Sequence, residues 1–220
     1  MAQRIIITGA TGMVGEGVLL TCLQAPDVER VLALNRRPSG ITHPKLHELL
    51  VPDFFNLVGI EEELLGYTAC FFCAGVSAVG KSEAEYTRTT HELTLHVAST
   101  LARLNPELTF CYVSGAGTDG RERSRQMWAR VKGRTENDLL KLPFRAAMFR
   151  PGFLKPVSGQ RRILKMYRWL GWLYPVLRRV APATACSLRE LGLAMLRVSE
   201  RHLPQTVYKV KTIVQLAKQE

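Results

Sequence analysis

The chain has 220 residues, 46% hydrophobic and 22% charged, which suits one globular domain with a sizeable core. Thirty Lys+Arg against nineteen Asp+Glu leave a net charge of +11, an excess that suits anionic ligands of any kind and selects none. No uncharged apolar run reaches spanning length, the opening residues carry no signal peptide, and no basic cluster interleaved with aromatics forms a nucleic-acid module; a spanning helix, secretion and nucleic-acid binding are not expected.

Ile5-Ile6-Ile7 is a β-branched run typical of a buried parallel strand, and it runs into glycines at 9, 12 and 15. Val14, Val18 and Cys22, with Leu19 and Leu23 alongside, then mark one face of a helix. Strand, glycine turn and helix start make a phosphate site, because the first N–H groups of a helix are unpaired and its dipole favours an anion. Gly9 permits the turn, Gly12 lets a pyrophosphate approach the backbone, and Gly15 lets the helix pack close to the sheet. Gly9, Thr11, Gly12, Met13 and Val14 are the expected pyrophosphate contacts. The run Thr8-Gly9-Ala10-Thr11-Gly12-x-x-Gly15 resembles the nucleotide loop of the short-chain dehydrogenase/reductase superfamily, in its atypical and extended (NmrA-like, epimerase-like) branches. The resemblance extends to about Gly152.

The second strand, Val31–Leu34, ends in Asn35-Arg36-Arg37-Pro38. Dinucleotide folds place an acidic residue here for the adenosine ribose, or arginine for a 2′-phosphate. Two guanidiniums and no carboxylate favour NADP(H) over NAD(H), with Arg36 and Arg37 on the phosphate. Leu46–Val51 reads as the third strand, and the resemblance implies that Asp53 and Phe54 after it flank the adenine. A short acidic helix over Glu61–Leu65 precedes the fourth strand, Thr68–Cys73, whose following Ala74 and Gly75 lie beside the adenosine by the same resemblance. Cys70 and Cys73 form C-x-x-C, but three residues apart on a strand they point to opposite faces, so they are core cysteines and no redox or zinc pair. Five cysteines without framework spacing suit a reducing cytoplasm. The histidines (43, 47, 91, 96, 202) show no metal-ligand spacing, and no metal is expected.

Tyr86, Thr90, Leu93, Val97, Leu101 and Leu104 stripe a helix over Ser82–Leu104, which Asn105-Pro106 ends. A fifth strand, Leu108–Val113, leads to a loop over 114–120 at the carboxyl edge of the sheet, where ligands sit. A helix over Ser124–Leu142 and a sixth strand over Ala146–Phe149 follow, then Arg150-Pro151-Gly152, which resembles the family's turn near the nicotinamide. This alternation gives an α/β, Rossmann-type doubly wound parallel sheet, one domain over 1–220, with 153–220 as a small C-terminal helical lid.

The resemblance implies a Ser-Tyr-Lys site in which serine holds the substrate oxygen, tyrosine gives the proton and lysine grips the nicotinamide ribose. Ser114 and Lys132 match the serine and lysine, while Trp128 stands where tyrosine is expected. Ser124, Trp128 and Lys132 fall at i, i+4 and i+8, on one helix face. An indole donates a hydrogen bond but does not ionise in the working range, so it relays no proton. Three readings stay open. The chain is a reductase whose acceptor (quinone-like or flavin-like) needs no enzyme-borne acid; or a non-catalytic NADP(H)-binding sensor or scaffold; or an alcohol or epimerase enzyme whose acid comes from Asp119 or Tyr167.

Over 160–180, six basic residues (Arg161, Arg162, Lys165, Arg168, Arg178, Arg179) surround an apolar, aromatic set that includes Tyr167, Trp169, Trp172 and Tyr174. The plain account is a lid over an unidentified small-molecule substrate, with its basic residues in water. The sharper one is peripheral contact with an anionic membrane; Gly171 and Pro175 interrupt any single straight helix. A cytoplasmic location is expected, with a membrane-peripheral one as the alternative that goes with the sharper account. Ser187 and Glu190 form a capping box for a helix over Ser187–Ser199, and Val207–Ala217 reads as a closing helix.

Overall fold

The computed structural model describes residues 2–164, 167, 171–201, 203 and 205–219. Seven parallel strands form the main sheet: β1 (Gln3–Thr8), β2 (Val28–Asn35), β3 (Leu46–Leu50), β4 (Ala69–Phe72), β5 (Thr109–Val113), β6 (Arg145–Arg150) and, from the end of the chain, β9 (Val207–Lys209). Their order is β3-β2-β1-β4-β5-β6-β9. This is the doubly wound, Rossmann-type sheet expected from the strand–helix alternation.

Side chains alternate across β1. Ile5 and Ile7 pack with Val18, Leu19 and Cys22 of α1 (Met13–Gln24), while Ile6 faces the opposite layer with Val97, Leu101 and Phe110. Cys70 and Cys73 likewise serve opposite layers, and the cysteines are free thiols. The first layer is completed by α6 (Leu188–Glu200) and α7 (Val210–Lys218), the second by α3 (Leu93–Leu104) and α4 (Met127–Leu139). α1 and α6 cross closely, since a Cβ on Gly17 would sit 2.6 Å from Leu188 Cδ1 and one on Gly192 2.8 Å from Thr21 Cβ.

Several boundaries differ from those the sequence suggests. The expected helix over 82–104 is α2 (Glu83–Thr87), a π-turn (Arg88–Glu92) and α3, with Ser82 and Glu85 forming a reciprocal cap at its start. The turn carries His91, whose Nε2 lies 2.8 Å from Asp138 Oδ2 on α4. The acidic helix is a 3₁₀ segment, Val58–Leu64. The helix expected from Ser124 starts at Met127. Asp119 takes the backbone N–H groups of Arg121, Arg123 and Ser124 at 3.0, 2.8 and 2.7 Å, which holds 119–124 as a turn. The closing helix loses its first residues to β9, where Tyr208 stacks on Phe149 at 5.0 Å between centroids.

The 153–220 stretch thus supplies a sheet strand and two core helices. It also contains a separate parallel pair, β7 (Phe153–Lys155) with β8 (Ala185–Ser187). The Ser187 cap forms as expected, with Glu190 N–H donating to Ser187 Oγ at 3.0 Å and Ser187 N–H to Glu190 Oε2 at 2.7 Å. Within 160–180, Lys165, Met166, Arg168, Trp169 and Leu170 lie outside the described residues, as does His202. α5 (Leu173–Val180) begins just after Gly171, buries none of its residues, and tolerates Pro175 because first-turn N–H groups have no helical acceptor. Arg161 and Arg162 are tied to the domain and are not simply solvated. Their backbone N–H groups reach Glu16 of α1 at 3.1 and 2.6 Å, and their guanidiniums reach the Gly40 and Ser39 carbonyls at 3.3 and 2.8 Å. Gln160 Nε2 donates to the Met13 carbonyl at 2.6 Å.

Candidate functional site

The loop between β1 and α1 leaves hydrogen-bond donors unused. Gly12 caps α1 with an extended backbone, and among the described residues no side-chain hydrogen bond caps the helix start. Its N–H goes to the Gly9 carbonyl at 2.9 Å and the Glu16 N–H to the Gly12 carbonyl at 2.9 Å; those of Met13, Val14 and Gly15 find no acceptor among the described residues. Gly9 has φ +72°, and a Cβ there would fall 2.7 Å from Ala74 N. At Gly15 a Cβ would meet the Gly9 carbonyl oxygen at 2.2 Å, so this glycine serves the closure of the loop on itself and not the packing of helix on sheet. A Cβ on Gly12 has no neighbour nearer than 3.4 Å, the Gly9 oxygen. That position is open for a ligand to approach.

A cleft of about 260 Å³ opens beside this loop, bordered by Gly9, Thr11, Gly12, Arg36, Phe54, Ala74 and Gly75. These are residues the sequence singles out; Leu34, Asn35 and Cys73 join them unforeseen. Arg37 and Asp53 do not line the cleft. Asp53 is exposed and accepts the Phe55 N–H at 2.9 Å, an Asx turn beside the buried Phe54. Arg36 and Arg37 are exposed and make no hydrogen bond or ion pair among the described residues. A carboxylate does lie behind this corner. Glu48 on β3 accepts from Asn35 Nδ2 and from the Ser39 N–H, both at 2.8 Å, and so fixes the turn that presents the arginines. Only the β2–β3 pairing (Ala33 opposite Glu48) brings it there.

On the other side of the sheet's carboxyl edge, α4 carries Trp128, Lys132 and Glu136 at i, i+4 and i+8; Ser124, ahead of the helix, drops out of that face. The indole packs under the 114–120 loop, and a Cβ on Gly117 (φ +90°) would be 2.9 Å from its Cη2. Lys132 Nζ donates to the Ser114 carbonyl oxygen. Burial pulls the Lys132 ammonium down to about 8, against a smaller opposing pull from Glu136. Ser114 Oγ lies 2.5 Å from Glu136 Oε1 and 3.2 Å from the Phe149 carbonyl. Its single proton is therefore committed inside the protein, and the expectation that Ser114 donates to a substrate oxygen is not met by this geometry.

Glu136 is 2% exposed and is held by Arg150 of β6, whose Nε lies 3.0 Å from Oε1 and whose Nη2 bonds Oε2. This buried carboxylate has no recognisable sequence signal beyond its spacing from Lys132. A guanidinium and a hydroxyl satisfy both of its oxygens, as a buried polar group requires. The two substitute acids fare differently. Three backbone N–H groups hold the Asp119 carboxyl below its usual range, so it has no proton to give near neutrality. Tyr167 is half-buried with its ring 4.9 Å from Phe153, and burial raises its phenol. Among the described residues no group of three or more His, Cys, Asp or Glu could hold a metal.

Against known proteins, the model of the NAD-dependent epimerase/dehydratase family matches residues 5–136. The protein named fmp52, mitochondrial, from Aspergillus fumigatus is 30% identical over 167 residues, covering 72% of this chain and 68% of that protein. Its Aspergillus clavatus namesake is 29% identical over 166 residues, with the same coverage. Among solved structures, Helicobacter pylori ADP-L-glycero-D-manno-heptose-6-epimerase superposes with a TM-score of 0.67 at 16% identity, over 98% of this chain and 81% of that one. A Burkholderia cenocepacia short-chain dehydrogenase in complex with NADP gives 0.66 at 15% identity, over 97% and 92%. Bordetella bronchiseptica WbmF in complex with NAD+ gives 0.66 at 14%, over 98% and 76%. With the family model matching from the first strand through the Lys132–Glu136 face, the chain belongs to the NAD-dependent epimerase/dehydratase family.

Proposed function

We propose that the chain is an oxidoreductase that prefers NADP(H) and passes hydride from NADPH to a small-molecule acceptor requiring no tyrosine acid. The observation that carries this reading is the start of α1, where three unspent N–H groups face an approach kept open by Gly12. A diphosphate fits there, an adenosine fits between Phe54 and Ala74-Gly75, and Arg36 at the cleft's rim suits a 2′-phosphate. Bound in this way, the dinucleotide supplies the hydride. The chain's own residues would hold it, with Lys132 the candidate to bind its ribose. Calorimetry with NADPH and NADH tests the assignment. Arg36→Glu should weaken NADPH at least tenfold and leave NADH within about twofold, a tenfold change being about 1.4 kcal/mol. No heat with either coenzyme would overturn the reading.

The specific observation favouring a non-catalytic sensor is the pairing of Trp128 with a Ser114 hydroxyl already committed to Glu136. Tight NADPH binding with no turnover against quinones and aldehydes would select it. Peripheral membrane contact is supported by the exposure of Trp172 (69%) and Val180 (77%) beside Arg179 at the ends of α5. Co-sedimentation with anionic but not neutral liposomes is the expected result, and no pelleting with either would end that proposal.

A further inference from the structure

The proton that accompanies hydride transfer needs a donor, and the side chains around the Lys132 face, Lys132 itself apart, do not supply it. Trp128 does not ionise, Asp119 is held ionised by three N–H groups, and Ser114 Oγ is bound to Glu136. We propose that Lys132 itself is the proton donor to a carbonyl acceptor, so that an ammonium does what a phenol does in the resembling enzymes. This deepens the hydride-transfer reading and rests on it.

Three features of the fold carry the proposal. Trp128 and Lys132 stand one helical turn apart on α4, and both reach the 114–120 loop at the carboxyl edge of β5, one at Gly117 and the other at Ser114. Lys132 Nζ has one acceptor among the described residues, the Ser114 carbonyl, which leaves two of its three N–H groups for a ligand. The carboxylate nearest in sequence on that face, Glu136, does not pair with it, because Arg150 and Ser114 occupy both of its oxygens. The charged groups around the amine are therefore Glu136 from α4 and Arg150 from the end of β6, which neutralise one another, with Asp119 of the loop acting on Arg150. Burial then brings the ammonium to about 8, close enough to neutrality for general acid work.

The step balances. Hydride adds to the carbonyl carbon, the displaced π pair goes to oxygen, and that oxygen takes a proton from Nζ. The reduced nicotinamide loses two electrons, and the neutral amine of Lys132 recovers its proton from water.

The test joins a measurement on the free protein with turnover. Competitive acetylation read by mass spectrometry should give Lys132 a midpoint near 8, well below that of an ordinary lysine. Lys132→Arg, whose guanidinium stays charged and gives up no proton, should bind NADPH within about threefold yet reduce an aldehyde at least 100-fold more slowly. Lys132→Ala should be rescued by added primary amines, better by those whose pKa is near the assay pH. A Lys132 midpoint above 10, or aldehyde turnover kept by Lys132→Arg, overturns the role alone. Wild-type protein that binds NADPH but turns over neither aldehyde nor quinone overturns the role together with the hydride-transfer reading.

Discussion

Alanine at Gly12 separates binding from folding. Gly12 sits at φ −108°, ψ 168°, which alanine adopts freely, and the new methyl carbon would have no neighbour nearer than 3.4 Å. Glycine to alanine at an N-cap costs about 0.5–1 kcal/mol, or about 1–4 °C in Tm for a chain of this size. The methyl group would nevertheless stand where a diphosphate must meet the helix start. NADPH affinity should fall at least tenfold, about 1.4 kcal/mol. Gly15→Ala provides the contrast, because its methyl would be driven to 2.2 Å from the Gly9 oxygen and 2.8 Å from the Ala10 nitrogen, both backbone atoms. Overpacking of that kind costs about 1–3 kcal/mol, and at about 2–4 °C per kcal/mol the Tm should drop visibly. Thermal melts and calorimetry on the two variants decide the matter. Gly12→Ala binding NADPH as tightly as wild type would refute the placement of the diphosphate.

Arg150→Met strands the buried Glu136 carboxylate and should cost about 3–5 kcal/mol in urea unfolding, with much of the loss recovered in Glu136→Met/Arg150→Met; equal losses in single and double variants would show that the pair is not coupled. Ser187→Ala removes the acceptor of the α6 capping box and should cost about 1 kcal/mol, a Tm decrease of about 2–4 °C; an unchanged melt would count against that cap. Lys132 has a folded pKa of about 8 against an ordinary 10.5, so between these values the unfolded chain binds more protons and stability rises with pH. The stability difference between wild type and Lys132→Met should be flat below pH 8 and move in favour of wild type up to 10.5. A difference that stays flat throughout would remove the depressed pKa.

What could be read from the sequence was whatever neighbours along the chain decide. Ile5-Ile6-Ile7 followed by three spaced glycines specifies strand, turn and helix start locally, and each residue lies where that pattern requires. Ser187 with Glu190 is equally local. The misreadings share the opposite cause. Val207–Lys209 is a strand because it meets β6, roughly sixty positions earlier, and three residues alone carry no period. β7 and β8 escaped notice for the same reason. The start of α4 depends on where the Asp119 carboxylate points, and Ser114's role depends on Glu136, a residue that reads as an ordinary solvated helix position until Arg150 is placed beside it. Glu48 became part of the cofactor corner only through strand pairing.

The position of β9 has a consequence for synthesis. While the polypeptide is being made, the Met148–Arg150 edge of β6 has its partner on the β5 side and nothing on the other until Lys209 has been translated. Such an edge is a template for pairing with other chains. A message truncated shortly before codon 207 would yield a product with a ready-made nucleotide loop and a sticky flank.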